Sequence, residues 1–194
     1  MEAENTVGCS DSSKILHLLR RFLAIQQRRA EAYTKLKSWF AEYMDSGREL
    51  AYQQLCSEIT VEFNDYSKQV LEMASLLLNP YLCRVDLAQL LKVVQEQEKQ
   101  KLHLTATIQV LKKESRPLEC PVSHDNCRCE KPMEHECIHV HEITEAIGIE
   151  EAEANAEYDN AFKEAISGVQ DAMTAINEHL EEVRYKIAAL KAES

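Results

Sequence analysis

The sequence contains little glycine and proline, with four residues of each among 194. An all-β protein needs many tight turns built from these residues, so that class is disfavoured and helix is the expected structure. No run of 18 apolar residues occurs, and the first residues lack a basic stretch followed by an apolar one. We therefore expect no membrane-spanning helix and no signal peptide, and an intracellular protein.

Several catalytic motifs are also missing. Four scattered glycines cannot form a phosphate-binding loop, and no Gly-x-Ser-x-Gly nucleophile elbow occurs. The ATPase, dehydrogenase and serine hydrolase classes therefore have no support in the sequence, and we expect a non-enzymatic protein. Seven cysteines form an odd set in a chain without a secretory signal, which favours reduced thiols or metal ligands over disulfides.

The net charge of −11 is distributed unevenly along the chain. Residues 1–116 carry 16 basic and 15 acidic side chains, whereas residues 117–194 carry 6 basic and 18 acidic ones. Residues 14–37 form the one basic segment, with seven bases against Glu31. A weak contact with a DNA backbone would start there, and its candidate residues are Arg20, Arg21, Arg28, Arg29 and Lys35. The alternative for these residues is an ordinary solvated helix face.

Apolar residues spaced three and four apart predict three long helices over residues 14–115, after a flexible segment over residues 1–13. The cluster Ser10–Ser13 is typical of a helix start. Gly47 predicts the end of the first helix, and the pair Asn79-Pro80 predicts the end of the second. The third helix has polar residues, Gln97 and Lys101, where its apolar seam needs hydrophobic ones.

The last 52 residues, 143–194, predict an acidic coiled-coil helix. Apolar residues there follow alternating steps of four and three, which is the period of a left-handed coiled coil. The predicted seam residues are Phe162, Ile166, Val169, Met173, Ile176, Leu180, Val183, Ile187 and Leu190. This seam can close on its own chain, on a second copy in a homo-oligomer, or on another protein. The predicted fold is an all-α, elongated bundle of long antiparallel helices.

Residues 116–142 form a loop rich in cysteine and histidine. Its eight candidate ligands are Cys120, His124, Cys127, Cys129, His135, Cys137, His139 and His141. Thiolate and imidazole are ligands that zinc prefers, so the composition favours Zn as a cofactor. No C-x-x-C pair occurs, and the spacing fits none of the familiar zinc fingers. A Cys-rich loop without metal is the alternative.

The same loop contains an H-E-x-x-H motif over residues 135–139. In a metallopeptidase the two histidines bind zinc and the glutamate acts as general base, which here gives His135, His139 and Glu136 those roles. Pro132 precedes the motif closely, no further zinc-binding histidine follows at the expected spacing, and strands that could flank a substrate are lacking. A zinc hydrolase is therefore kept as an alternative function.

The order of particular side chains in the first 111 residues goes beyond helical periodicity. It runs Arg29-Ala30-x-Ala32-Tyr33-x-x-Leu36, Tyr43-Met44-x-Ser46-Gly47, Tyr52, and Glu58-Ile59-Thr60-x-x-Phe63-x-x-x-Ser67-x-x-Val70-Leu71. It continues with Gln95-x-x-Glu98-x-x-x-Leu102, Gln109 and Leu111. This order resembles the required-for-excision B-type domain family, which is associated with DNA repair.

The resemblance implies an accessory role in excision repair, and it carries over no catalytic residue. We therefore expect protein partners, among them repair factors, to bind through helical surfaces, with no membrane involved. A repair role implies a nuclear location, and otherwise the protein is cytoplasmic. A helical scaffold or coiled-coil subunit unrelated to repair is the alternative.

Overall fold

The structure is a computed structural model that describes residues 5–114 and 141–192, and the side chains of residues 12–114 and 155–192. In these ranges the chain forms four helices and no strand: α1 (Asn5–Ser46), α2 (Glu49–Leu77), α3 (Val85–Glu114) and α4 (His141–Ala192). The predicted all-α class is therefore confirmed. None of the described helices is long and apolar enough to cross a membrane.

The helix ends follow from local chemistry at two predicted places. Gly47 adopts a left-handed conformation with φ of +71°, and its N–H donates to the Tyr43 carbonyl at 2.9 Å, which ends α1. Pro80 has no N–H to continue α2, and the Asn79 side chain accepts a hydrogen bond from the Tyr81 N–H at 3.1 Å. The chain therefore turns sharply after each helix.

The start of α1 differs from the prediction. The helix begins at Asn5, nine residues before the predicted start at residue 14. Serine and aspartate are favourable caps, but inside a helix each costs only about 0.5 kcal/mol relative to alanine. The Ser10–Ser13 cluster thus permits a helix start without enforcing one.

Neighbouring helices run in opposite directions. A short connection joins α1 to α2, and far from it the Arg21 guanidinium donates to the Gln69 side chain at 3.0 Å. Similarly, the Lys186 ammonium near the end of α4 lies 3.8 Å from the Asp86 carboxylate at the start of α3. The described helices thus form an up-and-down bundle.

Two clusters of buried apolar side chains fill this bundle. The four-helix core takes residues from every helix, namely Ile15, Leu16, Leu18, Leu19, Phe22, Ile25, Val70, Met73, Ala74, Leu77, Leu87, Ala88, Leu90, Leu91, Val94, Ile176, Leu180, Val183, Ile187 and Leu190. The three-helix core contains Ala32, Leu36, Leu55, Ile59 and Phe63, with Leu102 of α3 packed against it. Among the described side chains, α4 supplies none to the three-helix core, so the bundle is less closed on that side.

Candidate functional site

The basic residues predicted on α1 do not share one surface. Four of them are exposed: Arg20, Arg21, Arg28 and Lys35. Arg29 is only 1% exposed, so the structure removes it from the predicted DNA-contact surface. Arg29 follows Phe22 by seven residues and Ile25 by four, and this spacing places it on the buried face of α1.

Two of the exposed basic residues contact polar or acidic groups of α2. Arg21 donates to Gln69, and the Lys35 ammonium lies 4.0 Å from the Glu58 carboxylate. The acidic helix α4 therefore does not pair with this surface at these two positions. Glu58 partly neutralises Lys35, and Gln69 already accepts a hydrogen bond from Arg21, so the case for a phosphate contact at these two residues is weaker.

Arg29 lies at the centre of a buried polar network that links three helices. Its Nη2 atom donates to Gln95 Oε1 at 2.5 Å and to Ser67 Oγ at 3.3 Å. Gln95 Nε2 also donates to Ser67 Oγ at 2.9 Å, and the Ser67 hydroxyl donates to the Phe63 carbonyl at 2.8 Å. These bonds fix the relative positions of α1, α2 and α3 at one level of the bundle.

A second set of contacts in the network connects Tyr33, Glu98 and Lys101. The Tyr33 hydroxyl donates to the Glu98 carbonyl at 3.3 Å, and the Lys101 ammonium lies 3.7 Å from the buried Glu98 carboxylate. Lys101 also lies 3.9 Å above the Tyr33 ring, which is a cation–π contact. Two cations and one carboxylate thus share this interior.

Burial governs the electrostatics of the network. Desolvation lowers the pKa of Arg29, and the Glu98 charge partly opposes that effect. Desolvation likewise lowers the pKa of Lys101, again against the Glu98 charge. Among the described residues, the buried polar atoms without a hydrogen-bond partner are Arg29 Nε and Nη1, Glu98 Oε2 and both polar atoms of the Gln26 amide. The network is therefore only partly satisfied by its own side chains.

A groove of about 550 Å³ lies beside the network, between α1 and α4 and over α3. Its lining residues are Ala30, Tyr33, Thr34, Lys37 and Phe40 of α1, Lys101, Thr105, Ile108, Gln109 and Lys112 of α3, and Val169 and Met173 of α4. Tyr33 and Lys101 belong to both the network and the groove. The buried network thus positions two side chains of the surface groove.

A comparison of the sequence with protein families matches residues 17–112 to the family described as DNA repair REX1-B. Residues 17–112 are a REX1-B-type DNA-repair domain. The resemblance seen in the sequence is therefore confirmed. No curated protein and no solved structure matches the chain.

The REX1-B-type domain contains the whole buried network. The ordered side chains that indicated the family include Arg29, Tyr33, Ser67, Gln95 and Glu98, and the fold brings these five together from three helices. A second pair from the same set also meets, since the Tyr52 hydroxyl donates to the Gln109 side chain at 2.8 Å. The polar residues that indicated the family therefore connect its helices.

Helix α4 lies outside the REX1-B match and completes the bundle. The predicted seam residues Ile176, Leu180, Val183, Ile187 and Leu190 are buried in the four-helix core. Towards the start of the seam, Phe162, Ile166 and Val169 are half-buried and Met173 is 46% exposed. In this part of α4 the buried residues are Ala165, one position before Ile166, and Ala172, one position before Met173.

None of the predicted metal ligands has a described side chain near the network or the groove. Seven of them, Cys120, His124, Cys127, Cys129, His135, Cys137 and His139, lie outside the described residues. His141 is the first residue of α4, and its side chain is not described. Within residues 12–114 and 155–192 no group of three His, Cys, Asp or Glu side chains could hold a metal ion. The zinc site and the hydrolase motif stay predictions.

The sequence analysis does not predict the buried network, although polar residues at buried helix positions indicate it. The polar residues in the middle of α3 stand where the apolar seam needs hydrophobic side chains. The structure shows Lys101 mostly buried there, with Glu98 one turn before it. Polar residues interrupt the apolar face of two helices, at Arg29 in α1 and at Glu98 in α3. Two such interruptions indicate a shared buried polar cluster.

Proposed function

We propose that this protein is a non-enzymatic accessory factor in DNA excision repair that binds a protein partner through its helical surface. Its REX1-B-type domain carries the repair assignment. The groove between α1, α3 and α4 supports the partner-binding role, because it is a concave, largely apolar surface next to the family residues. A repair role places the protein in the nucleus.

The exposed bases of α1 support direct DNA binding less well than the groove supports a protein contact. Arg29 is buried and hydrogen-bonds to Gln95, and the Arg21 and Lys35 side chains already contact α2. DNA binding of useful affinity requires several phosphate contacts on one face. We therefore assign the repair function to a protein contact.

Removal of ultraviolet photoproducts tests this function in cells that lack the protein. We expect slower removal than in unmodified cells, and restoration by the intact chain. A chain with Met173→Glu, which places a carboxylate at the groove, should fail to restore removal. A chain with Arg20→Ala and Arg28→Ala serves as the matched surface control and should restore it. Normal removal without the protein would contradict the repair role.

A further inference from the structure

One row of buried positions along α1 is hydrophobic except at Arg29. The row takes every seventh residue, and its members are Ile15, Phe22, Arg29, Leu36 and Tyr43. Each of these side chains is at most 6% exposed. Seven residues make nearly two helical turns, so the five side chains lie along one side of the helix. The guanidinium of Arg29 therefore interrupts an otherwise continuous hydrophobic seam.

Polar residues interrupt α3 at the same level of the bundle. Gln95 lies seven residues from Ala88 and seven from Leu102. Glu98 likewise follows the buried Leu91 by seven residues. A hydrophobic heptad row presents the same kind of side chain after a slide of seven residues, whereas a polar residue in the row marks one position. The two helices thus carry matching polar marks.

A slide of α1 by seven residues would break the bonds of Arg29. The slide moves the guanidinium by about 10 Å along the bundle. Its present partners are Ser67 of α2 and Gln95 of α3. Seven residues closer to the start of α1, the same levels of α2 and α3 hold Ala74 and Ala88, which are buried and apolar. A buried guanidinium without an acceptor is strongly unfavourable, so this alignment is excluded.

The turn between α1 and α2 does not by itself prevent such a slide. Arg48, the N-cap residue of α2, makes no capping hydrogen bond with its side chain among the described residues. Leu50 in the first turn of α2 is 83% exposed. Unwinding these first residues would therefore cost little buried apolar surface and would let the connection move along the chain. Arg29 acts 18 residues away from Gly47, in the middle of the helix.

The network is a poor source of stability for the fold. Arg29 Nε and Nη1 and Glu98 Oε2 are buried without a hydrogen-bond partner among the described residues. A partly satisfied cluster of buried charges is often no more stabilising than apolar side chains of similar volume. Removing one member is nevertheless costly, because it leaves the other members unpaired. These polar residues therefore need an explanation other than net stability.

We infer that the buried network sets the register of α1, α2 and α3: it selects one alignment of these helices and adds no net stability to the fold. The bonds of Arg29 fit one alignment, and the unpaired buried atoms show what that selection costs. The selected alignment also holds Lys101 above the Tyr33 ring at the edge of the groove. The inference does not depend on the proposed repair or partner-binding function.

The triple variant Arg29→Met/Ser67→Ala/Gln95→Met tests this inference in the full chain. It replaces the guanidinium and both of its hydrogen-bond partners by apolar groups, and it leaves Glu98 beside Lys101. We expect the urea midpoint of this network variant to equal or exceed that of the intact chain, in contrast to the loss expected when Arg29 alone is removed.

Fluorine NMR with fluorotryptophan reports the number of alignments. Trp39 is the one tryptophan of the chain and lies in α1, so each alignment gives its own resonance from a single site. We expect one resonance from the intact chain and at least two from the network variant. The loss of the polar mark would then permit alignments that the intact chain excludes.

A second triple variant controls for changes in packing alone. Ile25→Leu/Ile59→Leu/Leu91→Met changes one buried apolar side chain in each of the same three helices and retains the network. These substitutions nearly conserve volume, so the control should fold with a urea midpoint close to that of the intact chain. We expect it to give one fluorine resonance.

Three results would overturn the inference. A network variant that does not fold, or that has a lower urea midpoint than the intact chain, would show that the network contributes net stability. A stable network variant with one resonance and an unchanged amide spectrum would show that the register persists without these polar residues. Several resonances from the control would show that altered packing alone permits other alignments.

Discussion

Arg29 has a structural task that its charge alone does not suggest. A guanidinium is planar and carries five donors, so one side chain can hydrogen-bond to two helices at once. Here it contacts Gln95 of α3 and Ser67 of α2 while its own backbone belongs to α1. Burying the charge is costly, and Glu98 offsets that cost through its opposite charge. Arg29 therefore orders the three helices that carry the family residues.

Replacing Arg29 by alanine should strongly destabilise the fold. The change removes one of the two cations that share the interior with Glu98 and leaves Gln95 Oε1 without its donor, so we expect a loss of about 3 kcal/mol in the free energy of unfolding. Urea unfolding followed by circular dichroism measures this loss. Arg28→Ala, one residue earlier on the exposed face, is the matched control and should cost less than about 0.5 kcal/mol. Similar losses in both variants would contradict the assigned role of the network.

Asp86 gives a prediction about acid stability. The Arg84 side chain donates to both of its carboxylate oxygens, at 2.9 and 2.8 Å, and these hydrogen bonds hold the pKa of Asp86 at about 2. A carboxylate with a lowered pKa in the folded state stabilises the fold above its unfolded pKa. That contribution is lost as the pH falls from about 4 to 2.

The variant Asp86→Asn should therefore melt below the intact chain at pH 6 and at the same temperature as the intact chain near pH 2. Thermal unfolding at several values between pH 2 and 6 measures this. Asp45→Asn changes a carboxylate that is exposed in α1 and serves as the control. A melting difference for Asp86→Asn that stays constant with pH would show that the Arg84 contact does not matter.

At the scale of elements, α3 and α4 approach each other closely at Gly168. A methyl group added there would lie 2.7 Å from Leu104 Cδ1. Ala165 and Ala172 flank this point on the same face of α4, and both are buried. Small side chains on α4 therefore let Leu104 of α3 reach the α4 backbone.

A double-mutant cycle at this contact should show clear coupling. Alanine favours a helix over glycine by about 1 kcal/mol, but in the intact chain Gly168→Ala must also displace Leu104. We expect Gly168→Ala to be more favourable by about 1 kcal/mol in a Leu104→Ala background than in the intact chain. Urea unfolding of the four proteins gives both values. Equal effects in the two backgrounds would contradict the close approach.

The sequence predicts the elements better than their contacts. The turns at Gly47 and Asn79-Pro80 depend on local backbone chemistry, so the sequence alone predicts them. The seam is buried as predicted from Ile176 onwards, because large apolar residues there meet the other three helices. Met173 is 46% exposed in the single chain, where the buried positions are Ala165 and Ala172, and its place in the seam stays a prediction.

The candidate site was less predictable for the same reason. The basic neighbours of Arg29 in the chain predict an exposed side chain. Its burial depends instead on contacts with distant residues such as Gln95, 66 residues later. The groove needs α1, α3 and α4 together, so no local pattern indicates it. Tertiary contacts between distant residues decide both features, whereas single-sequence patterns report on local structure.

At the scale of the whole molecule, the REX1-B match is smaller than the four-helix bundle. The match covers residues 17–112, but the four-helix core also includes Ile176, Leu180, Val183, Ile187 and Leu190. Burying five such side chains contributes roughly 10 kcal/mol, which is comparable to the whole stability of an ordinary domain. We therefore expect the family domain to depend on α4 for its stability.

A fragment of residues 1–115 should then fail to unfold cooperatively. Without α4, the apolar faces around Leu19, Leu91 and Val94 are exposed, so we expect a broad thermal transition and strong binding of a hydrophobic dye. A peptide of residues 155–192 added in excess should restore a sharp transition, because it supplies the missing core residues. The same peptide with Val183→Asp would bury a charge at a fully buried position and should not restore it. A fragment that melts sharply near the temperature of the full chain would show that residues 17–112 fold independently of α4.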